Sequence, residues 1–147
     1  MSPTLPPPQV RWVIWAALTG SILLYFLLVR FGSLGAANPG TSETVAAGAS
    51  LALILTAIGV VNAAASMAIR VVVKSVRDQQ GRRVTPPWIF PAFVVALALA
   101  ESPAVFGFIL GQRGEDPKSM MLLFGIAFVA MLANNPAFFF TKAEDGD

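Results

Sequence analysis

The chain of 147 residues contains neither cysteine nor histidine. Without cysteine it cannot form disulfides, zinc ribbons or iron–sulfur clusters, and without histidine it lacks the commonest metal ligand and general base. Charged residues make up only 12% of the chain, whereas an ordinary globular domain carries about 25%. The net charge of +2 is too small to indicate a nucleic-acid partner. We therefore expect no metal site, no bound cofactor and no nucleic acid.

Long apolar runs dominate the sequence, in which 56% of the residues are hydrophobic. A helix needs about 20 apolar residues to cross the hydrocarbon core of a bilayer, and in lipid its backbone polar groups must be paired within the segment. The first run is longer than the apolar core of a signal peptide, which has about 7–15 residues, so we expect it to remain as a span. The sequence thus predicts an all-α four-helix transmembrane bundle with spans at about residues 12–29, 45–69, 89–110 and 120–140.

The basic residues predict the orientation of these spans. The two tails and the connection between the second and third spans hold seven of them: Arg11, Arg70, Lys74, Arg77, Arg82, Arg83 and Lys142. The opposite side holds three: Arg30, Arg113 and Lys118. Because Lys and Arg favour the cytoplasmic side, we predict that a proline-rich tail (residues 1–11) and an acidic tail (residues 141–147) are both cytoplasmic. The predicted location is the cell membrane, which is the inner membrane if the source is bacterial.

Glu101 lies about midway along the third predicted span. A carboxylate at that depth costs at least ~2.5–3.5 kcal/mol on insertion scales, and such residues mark proton relays and ion pathways. Removal from water favours the neutral acid, which makes Glu101 a candidate reversible proton carrier. The other interpretation is a protonated Glu that donates to a neighbouring helix and holds the bundle together, worth ~0.6–2 kcal/mol per bond.

Several residues can support this acid. Pro103 has no N–H for the carbonyl four residues earlier, which leaves an acceptor near the carboxyl group. Ser102 can donate to the carboxylate or to its own helix backbone. From counting depth along the second span, Thr56 is the first candidate partner and Asn62 the second, unless both bond to their own helix.

Small residues predict close contacts between the spans. Gly107 and Gly111 form a GxxxG pair on the helix of the acid, which permits close approach of another helix. The second span carries small residues at intervals of three and four, on one helix face, at Gly48, Ala52, Thr56, Gly59, Ala63 and Ser66.

The end of the fourth span contains Asn134, Asn135 and Pro136. Proline cannot continue the hydrogen-bond ladder of a helix interior, and asparagine side chains can cap the backbone groups that are freed. We predict a helix end or kink at this point.

Residues 93–111, FVVALALAESPAVFGFILG, resemble the carboxylate-bearing helix of the proteolipid, or c, subunit of rotary ATP synthases and V-type ATPases. The shared features are small apolar residues, then Ala100-Glu101, then Phe106-Gly107. The small-rich second span and the basic connection extend the resemblance to about residues 47–111. The resemblance implies that Glu101 carries the transported ion. Ser102 stands where sodium-binding members often have a hydroxyl, but Pro103 follows it in place of a second hydroxyl ligand, which favours protons.

These observations predict a small multi-pass membrane subunit involved in proton translocation. Its partners would be membrane lipids and either copies of itself or a larger membrane complex. The alternative is a structural accessory subunit in which Glu101 only donates an interhelical hydrogen bond. We do not expect an enzyme, because a single buried acid has no second group to complete an acid–base or nucleophile–base pair.

Overall fold

A computed structural model describes residues 6–32, 42–79, 86–114 and 117–140, with the helix alone described for residues 42–50 and 79. These residues form helices and no strand, which confirms the predicted all-α class. The helices within the described part are α1 (Pro8–Gly32), α2 (Ser42–Gln79), α3 (Ile89–Gln112), α4 (Pro117–Ala133) and the short α5 (Pro136–Phe139).

Three of these helices are long and apolar enough to cross a membrane. They are α1, the part of α2 over Leu51–Asp78, and α3, with mean hydropathy of 2.1, 2.0 and 2.1. Helix α4 is apolar but has 17 residues, about 26 Å of helix, which is slightly less than the roughly 30 Å of a hydrocarbon core. The described chain is therefore a helical bundle of three long apolar helices and a shorter fourth.

Helix α3 lies at the centre of the bundle and packs against α1, α2 and α4. In the most apolar stretch of α3, 44% of the residues are buried, compared with 22% in that of α2 and 11% in that of α1. Its buried residues include Phe93, Leu97, Ala100 and Ala104. A helix that is apolar on every face is suited to such a central position. The single acid of the predicted spans is therefore on the best-enclosed helix.

Helix α2 continues well beyond the predicted span of residues 45–69, as far as Gln79. The sequence placed Arg70, Lys74 and Arg77 in the connection between the second and third spans. In the structure they lie on helix α2. Hydropathy marks where a segment leaves lipid, but Arg, Lys and Gln are good helix formers, so the helix persists outside the apolar run. Arg82 and Arg83 lie outside the described residues.

The fourth predicted span, residues 120–140, consists of two helices with a break between them. Helix α4 ends at Ala133 and α5 begins at Pro136. The side chain of Asn135 accepts a hydrogen bond of 2.8 Å from the backbone N–H of Ala137, so it caps the N-terminus of α5. Proline at the first helical position needs no N–H partner. The predicted helix end at residues 134–136 is confirmed.

Basic residues and phenylalanines meet at one end of the bundle. The guanidinium of Arg11 lies 4.2 Å from the ring centroid of Phe140, and Arg77 donates a hydrogen bond of 2.5 Å to the carbonyl of Phe139. The start of α1, the last turns of α2 and helix α5 are thus neighbours. We call this the basic end of the bundle; its basic residues are Arg11, Arg70, Lys74 and Arg77.

Candidate intramembrane carboxyl site

Glu101 lies near the middle of α3 and is half-buried. Its described partner is Ser21, which lies near the middle of α1 and is also half-buried. The hydroxyl of Ser21 and Oε1 of Glu101 form a hydrogen bond between the two helices. The acid is therefore placed at the seam between α1 and α3, partly open to the surroundings of the bundle.

The Ser21 hydroxyl has a second neighbour, the carbonyl of Leu18, at 2.7 Å. A hydroxyl carries one hydrogen and accepts through its lone pairs, so it cannot donate to both oxygens at once. When Ser21 donates to Leu18, the bond to Glu101 requires the protonated acid as donor. When Glu101 is ionised, Ser21 can turn its hydrogen to the carboxylate. The pair therefore keeps a hydrogen bond in either protonation state of the acid.

Pro103 and Ser102 shape the helix next to the acid. Pro103 has no N–H to donate to the carbonyl of Leu99. This carbonyl instead accepts a hydrogen bond of 2.9 Å from the Ser102 hydroxyl. Of the two acceptors expected for Ser102, its own helix backbone or the carboxylate, Ser102 thus donates to the backbone, and this bond uses the only hydrogen of the hydroxyl. Ser102 is therefore not a donor to Glu101 in this arrangement.

Asn62 of α2 completes this part of the site. Its amide Nδ2 donates a hydrogen bond of 2.8 Å to Ser102 Oγ. Asn62 is thus linked to the residue beside the acid and not to the acid itself. We call Ser21, Asn62, Glu101 and Ser102 the carboxyl cluster, because their bonds join α1, α2 and α3 through adjacent positions of α3.

Thr56, the first candidate partner from the sequence, makes no hydrogen bond to Glu101 within the described part of the chain. The helix register explains this. A Cβ built on Gly59 would lie 3.4 Å from Cβ of Pro103, and Asn62 is level with Ser102. Glu101 is therefore about level with Asn62, and Thr56 lies six residues, or about 1.7 turns, away along α2.

The predicted packing glycines lie at close contacts between helices. A Cβ on Gly59 would be 2.8 Å from Cδ2 of Leu123, one on Gly107 would be 3.3 Å from the ring of Phe124, and one on Gly111 would be 2.9 Å from Sδ of Met120. A Cβ on Gly111 would also overlap the side chain of Val29 in α1. Larger residues at these positions would therefore separate α3 from α4 and α1, or α2 from α3 and α4. Among the other residues predicted to pack, Ala52 and Ala63 are buried, and the surroundings of Gly48 lie outside the described residues.

A second polar cluster was not predicted from the sequence. Asn134, fully buried at the end of α4, donates through Nδ2 to Ser66 Oγ of α2 at 3.2 Å and to the carbonyl of Ala130 at 2.8 Å. Its Oδ1 has no hydrogen-bond partner among the described residues. We call Ser66 and Asn134 the asparagine cluster. Nearby, the indole N–H of Trp15 donates to the carbonyl of Met131 at 3.0 Å, which ties α1 to the same end of α4.

Ser21 is the main residue of the carboxyl site that the sequence did not identify. Its only signal is that it is a hydroxyl residue near the middle of the first apolar run. Serine in a membrane helix is often bonded to its own backbone, so this signal does not by itself indicate a partner for the acid.

No family model, curated protein or solved structure matches this chain. The resemblance of residues 47–111 to the rotary ATPase proteolipid hairpin therefore depends on the sequence pattern alone.

Proposed function

We propose that this chain is a small multi-pass subunit of an oligomeric membrane complex and that Glu101 carries protons in it. The observation that carries the proposal is the hydrogen bond between Glu101 and Ser21 near the middle of two apolar helices. A carboxyl group at such a depth is costly and is characteristic of proton pathways. The proposal agrees with the sequence resemblance to the ion-carrying helix of rotary ATPase proteolipids.

The chemistry of the cluster suits a proton better than a metal cation. A proton needs one acceptor and one stabilising partner, which Glu101 and Ser21 supply. A metal cation would need a second oxygen ligand beside the acid. The nearby Ser102 hydroxyl is already hydrogen-bonded to Leu99 and Asn62, so it is not available for that role. The exchange step would be release of the carboxyl proton, after which the Ser21 hydrogen turns from the Leu18 carbonyl to the carboxylate.

Access to the acid supports a role in an assembly. Glu101 is half-buried at the α1–α3 seam, so a neighbouring subunit or a water path can reach the carboxyl group. Large apolar side chains are also exposed along the bundle, among them Val13, Leu53, Val61 and Val129. In a membrane these side chains contact lipid or other subunits.

The proposed location is the cell membrane, with both termini cytoplasmic. The clustering of Arg11, Arg70 and Arg77 around α5 supports this orientation, because it brings basic residues from the start of α1 and the last turns of α2 to one end.

A structural accessory subunit is the second candidate function. The observation that favours it is that the Ser21–Glu101 bond joins two helices of the same chain. Such a bond can simply hold α1 against α3. Interhelical hydrogen bonds in membranes stabilise the fold by about 0.6 kcal/mol on average. In this case Glu101 stays protonated and exchanges nothing.

Proton flux through the complex distinguishes the two functions. The complex would be extracted in mild detergent with its partners and reconstituted into vesicles under an imposed potential, and uptake would be followed with a pH-sensitive dye. Glu101→Gln keeps the size and hydrogen-bonding capacity of the side chain but has no proton to release, so flux is expected to fall to background with the complex intact. Ser102→Ala, at the neighbouring position, is the matched control and is expected to retain flux.

Normal flux in Glu101→Gln would contradict proton carriage and favour the accessory function. That function has its own expectation. Gly59→Leu is expected to separate α2 from α4 within the chain, because a Cβ there is already 2.8 Å from Leu123, and thereby to break assembly, whereas Glu101→Gln is expected to assemble normally. Intact assembly in Gly59→Leu would count against the accessory function.

A further inference from the structure

An apolar groove of about 660 Å³ runs between α2 and α4. Its walls include Val60, Ala64 and Met67 of α2 and Met121, Gly125 and Val129 of α4. A Cβ built on Gly125 would meet no atom within 4 Å, so the floor of the groove is open. Neither the carboxyl cluster nor the proposed function uses this groove.

The groove leads toward the basic end of the bundle. Along α2, the residues after Met67 at intervals of three and four are Arg70, Lys74 and Arg77, and such residues share one helix face. A second cavity of about 120 Å³ lies there, between these side chains and Phe138 and Phe139 of α5. The same seam between α2 and the C-terminal helices thus changes from apolar to cationic along its length.

The cationic part of the seam is held in place by α5. The guanidinium of Arg70 lies 5.0 Å from the ring centroid of Phe138, and Arg77 donates to the carbonyl of Phe139 at 2.5 Å. Lys74 is exposed between them. Asp78 also lines this cavity, so three basic residues face one acid and the local charge stays positive.

The dimensions of the seam match one leaflet of a bilayer. Residues 60 to 70 of α2 rise about 15 Å, which is half of a hydrocarbon core of roughly 30 Å. With Arg70 at the headgroup level, Val60 lies near the bilayer midplane. Basic pockets between membrane helices near the surface are a known means of binding anionic lipid headgroups.

We propose that one anionic phospholipid binds along the α2–α4 seam. One of its two acyl chains occupies the apolar groove, and its phosphate lies between Arg70 and Lys74. A second copy of the chain is a less favourable occupant, because copies inserted in the same orientation place their basic ends side by side, and like charges repel. The proposal does not depend on proton carriage by Glu101.

Lipid binding to the purified, delipidated protein tests the proposal. Phosphatidylglycerol and phosphatidylcholine with identical acyl chains would be titrated separately, and bound lipid would be counted by native mass spectrometry. Wild type is expected to prefer phosphatidylglycerol. The double variant Arg70→Gln with Lys74→Gln is expected to lose this preference, with about fivefold weaker binding for each charge removed. The matched control is Arg30→Gln with Arg113→Gln, which removes two exposed charges at the opposite end and should change nothing.

The apolar part of the seam is tested by filling it. Gly125→Leu is expected to weaken binding of both lipids, because its side chain enters the open groove. Gly20→Leu is the control, since a Cβ on Gly20 of α1 also meets nothing within 4 Å but lies away from the groove. If Gly125→Leu does not accumulate, the charge variants decide the result alone.

Two outcomes would overturn the proposal. One is a phosphatidylglycerol affinity that is the same in wild type and in the Arg70/Lys74 variant. The other is that Gly125→Leu turns a dimer into a monomer while lipid binding is unchanged, which would assign the groove to a second copy of the chain.

Discussion

The carboxyl cluster and the asparagine cluster both place polar side chains between apolar helices, but they differ in three respects. The first contains a titratable group, is half-buried, and keeps its Ser21–Glu101 bond in either protonation state of the acid. The second contains no titratable group, is fully buried around Asn134, and leaves one amide oxygen without a described partner. The two clusters are linked to α2 at positions one turn apart, Asn62 in the first and Ser66 in the second.

Under the proposed function, this difference separates a site that exchanges protons from a site that only holds the bundle together. A group that exchanges protons needs access and a partner that can both donate and accept, and a hydroxyl such as Ser21 is such a partner. A buried amide beside a helix break has neither access nor a charge to exchange. Polar residues in a membrane bundle therefore indicate function only when their access and protonation are considered together.

The largest expected effect comes from moving the carboxyl group from one cluster to the other. Glu101→Gln combined with Asn134→Asp keeps one acid in the bundle, and we expect proton flux to stay at background. The reason is that an acid at position 134 is fully enclosed, so protons cannot reach it. Flux in vesicles is the measurement. Recovery of flux in the double variant would show that any buried carboxyl suffices and would remove the distinction between the clusters.

Ser21→Ala is expected to have the next largest effect. It leaves Glu101 without its described partner, at a cost of about 0.6–2 kcal/mol for an interhelical bond in a membrane, and it should also lower proton flux. Unfolding in a mixed-micelle titration gives the stability, and vesicle assays give the flux. Ser21→Thr is the control, since it keeps the hydroxyl. A flux equal to wild type in Ser21→Ala would restrict the role of Ser21 to packing.

Ser102→Ala is expected to lower the free energy of unfolding by about 1 kcal/mol, because it removes the bonds to the Leu99 carbonyl and from Asn62. Flux should persist, because Ser102 is not bonded to Glu101. A Ser102→Ala variant with normal stability but no flux would place Ser102 in the proton path instead.

Asn134→Leu is expected to have the smallest effect, within about 1 kcal/mol of wild type in either direction. Interhelical hydrogen bonds in membranes average about 0.6 kcal/mol, and the change also removes the unpartnered Oδ1. The same unfolding titration measures it. A loss of several kcal/mol would show that Asn134 has a further partner, and the asparagine cluster would then be the stronger of the two.

Parts of this arrangement follow directly from the sequence. The apolar runs predict the helices. Because Pro103 has no N–H, the sequence also predicts that the carbonyl of Leu99 lacks its usual helical donor, and the Ser102 hydroxyl donates to it instead. The Asn–Asn–Pro sequence predicts the break before α5, since both residue types have clear local preferences at helix ends.

The partner of the acid could not be predicted in the same way. Whether Glu101 meets Ser21 or Thr56 depends on which helices are neighbours and on their relative register, and hydropathy specifies neither. The depth estimate for α2 assumed that the helix ends with its apolar run, but it continues to Gln79. Thr56 was therefore placed too near the acid. The partnership of Asn134 with Ser66 likewise depends on contacts between distant segments.

The length of α2 has a mechanical consequence. Its 38 residues extend about 57 Å, nearly twice the thickness of a hydrocarbon core. A tilt of about 10° around its midpoint would displace each end by about 5 Å, given this length. If the midpoint of α2 lies at the centre of a bilayer, such a tilt moves the ends of the helix about twice as far as the residues at the edge of the hydrocarbon core, because the ends lie about twice as far from the midpoint.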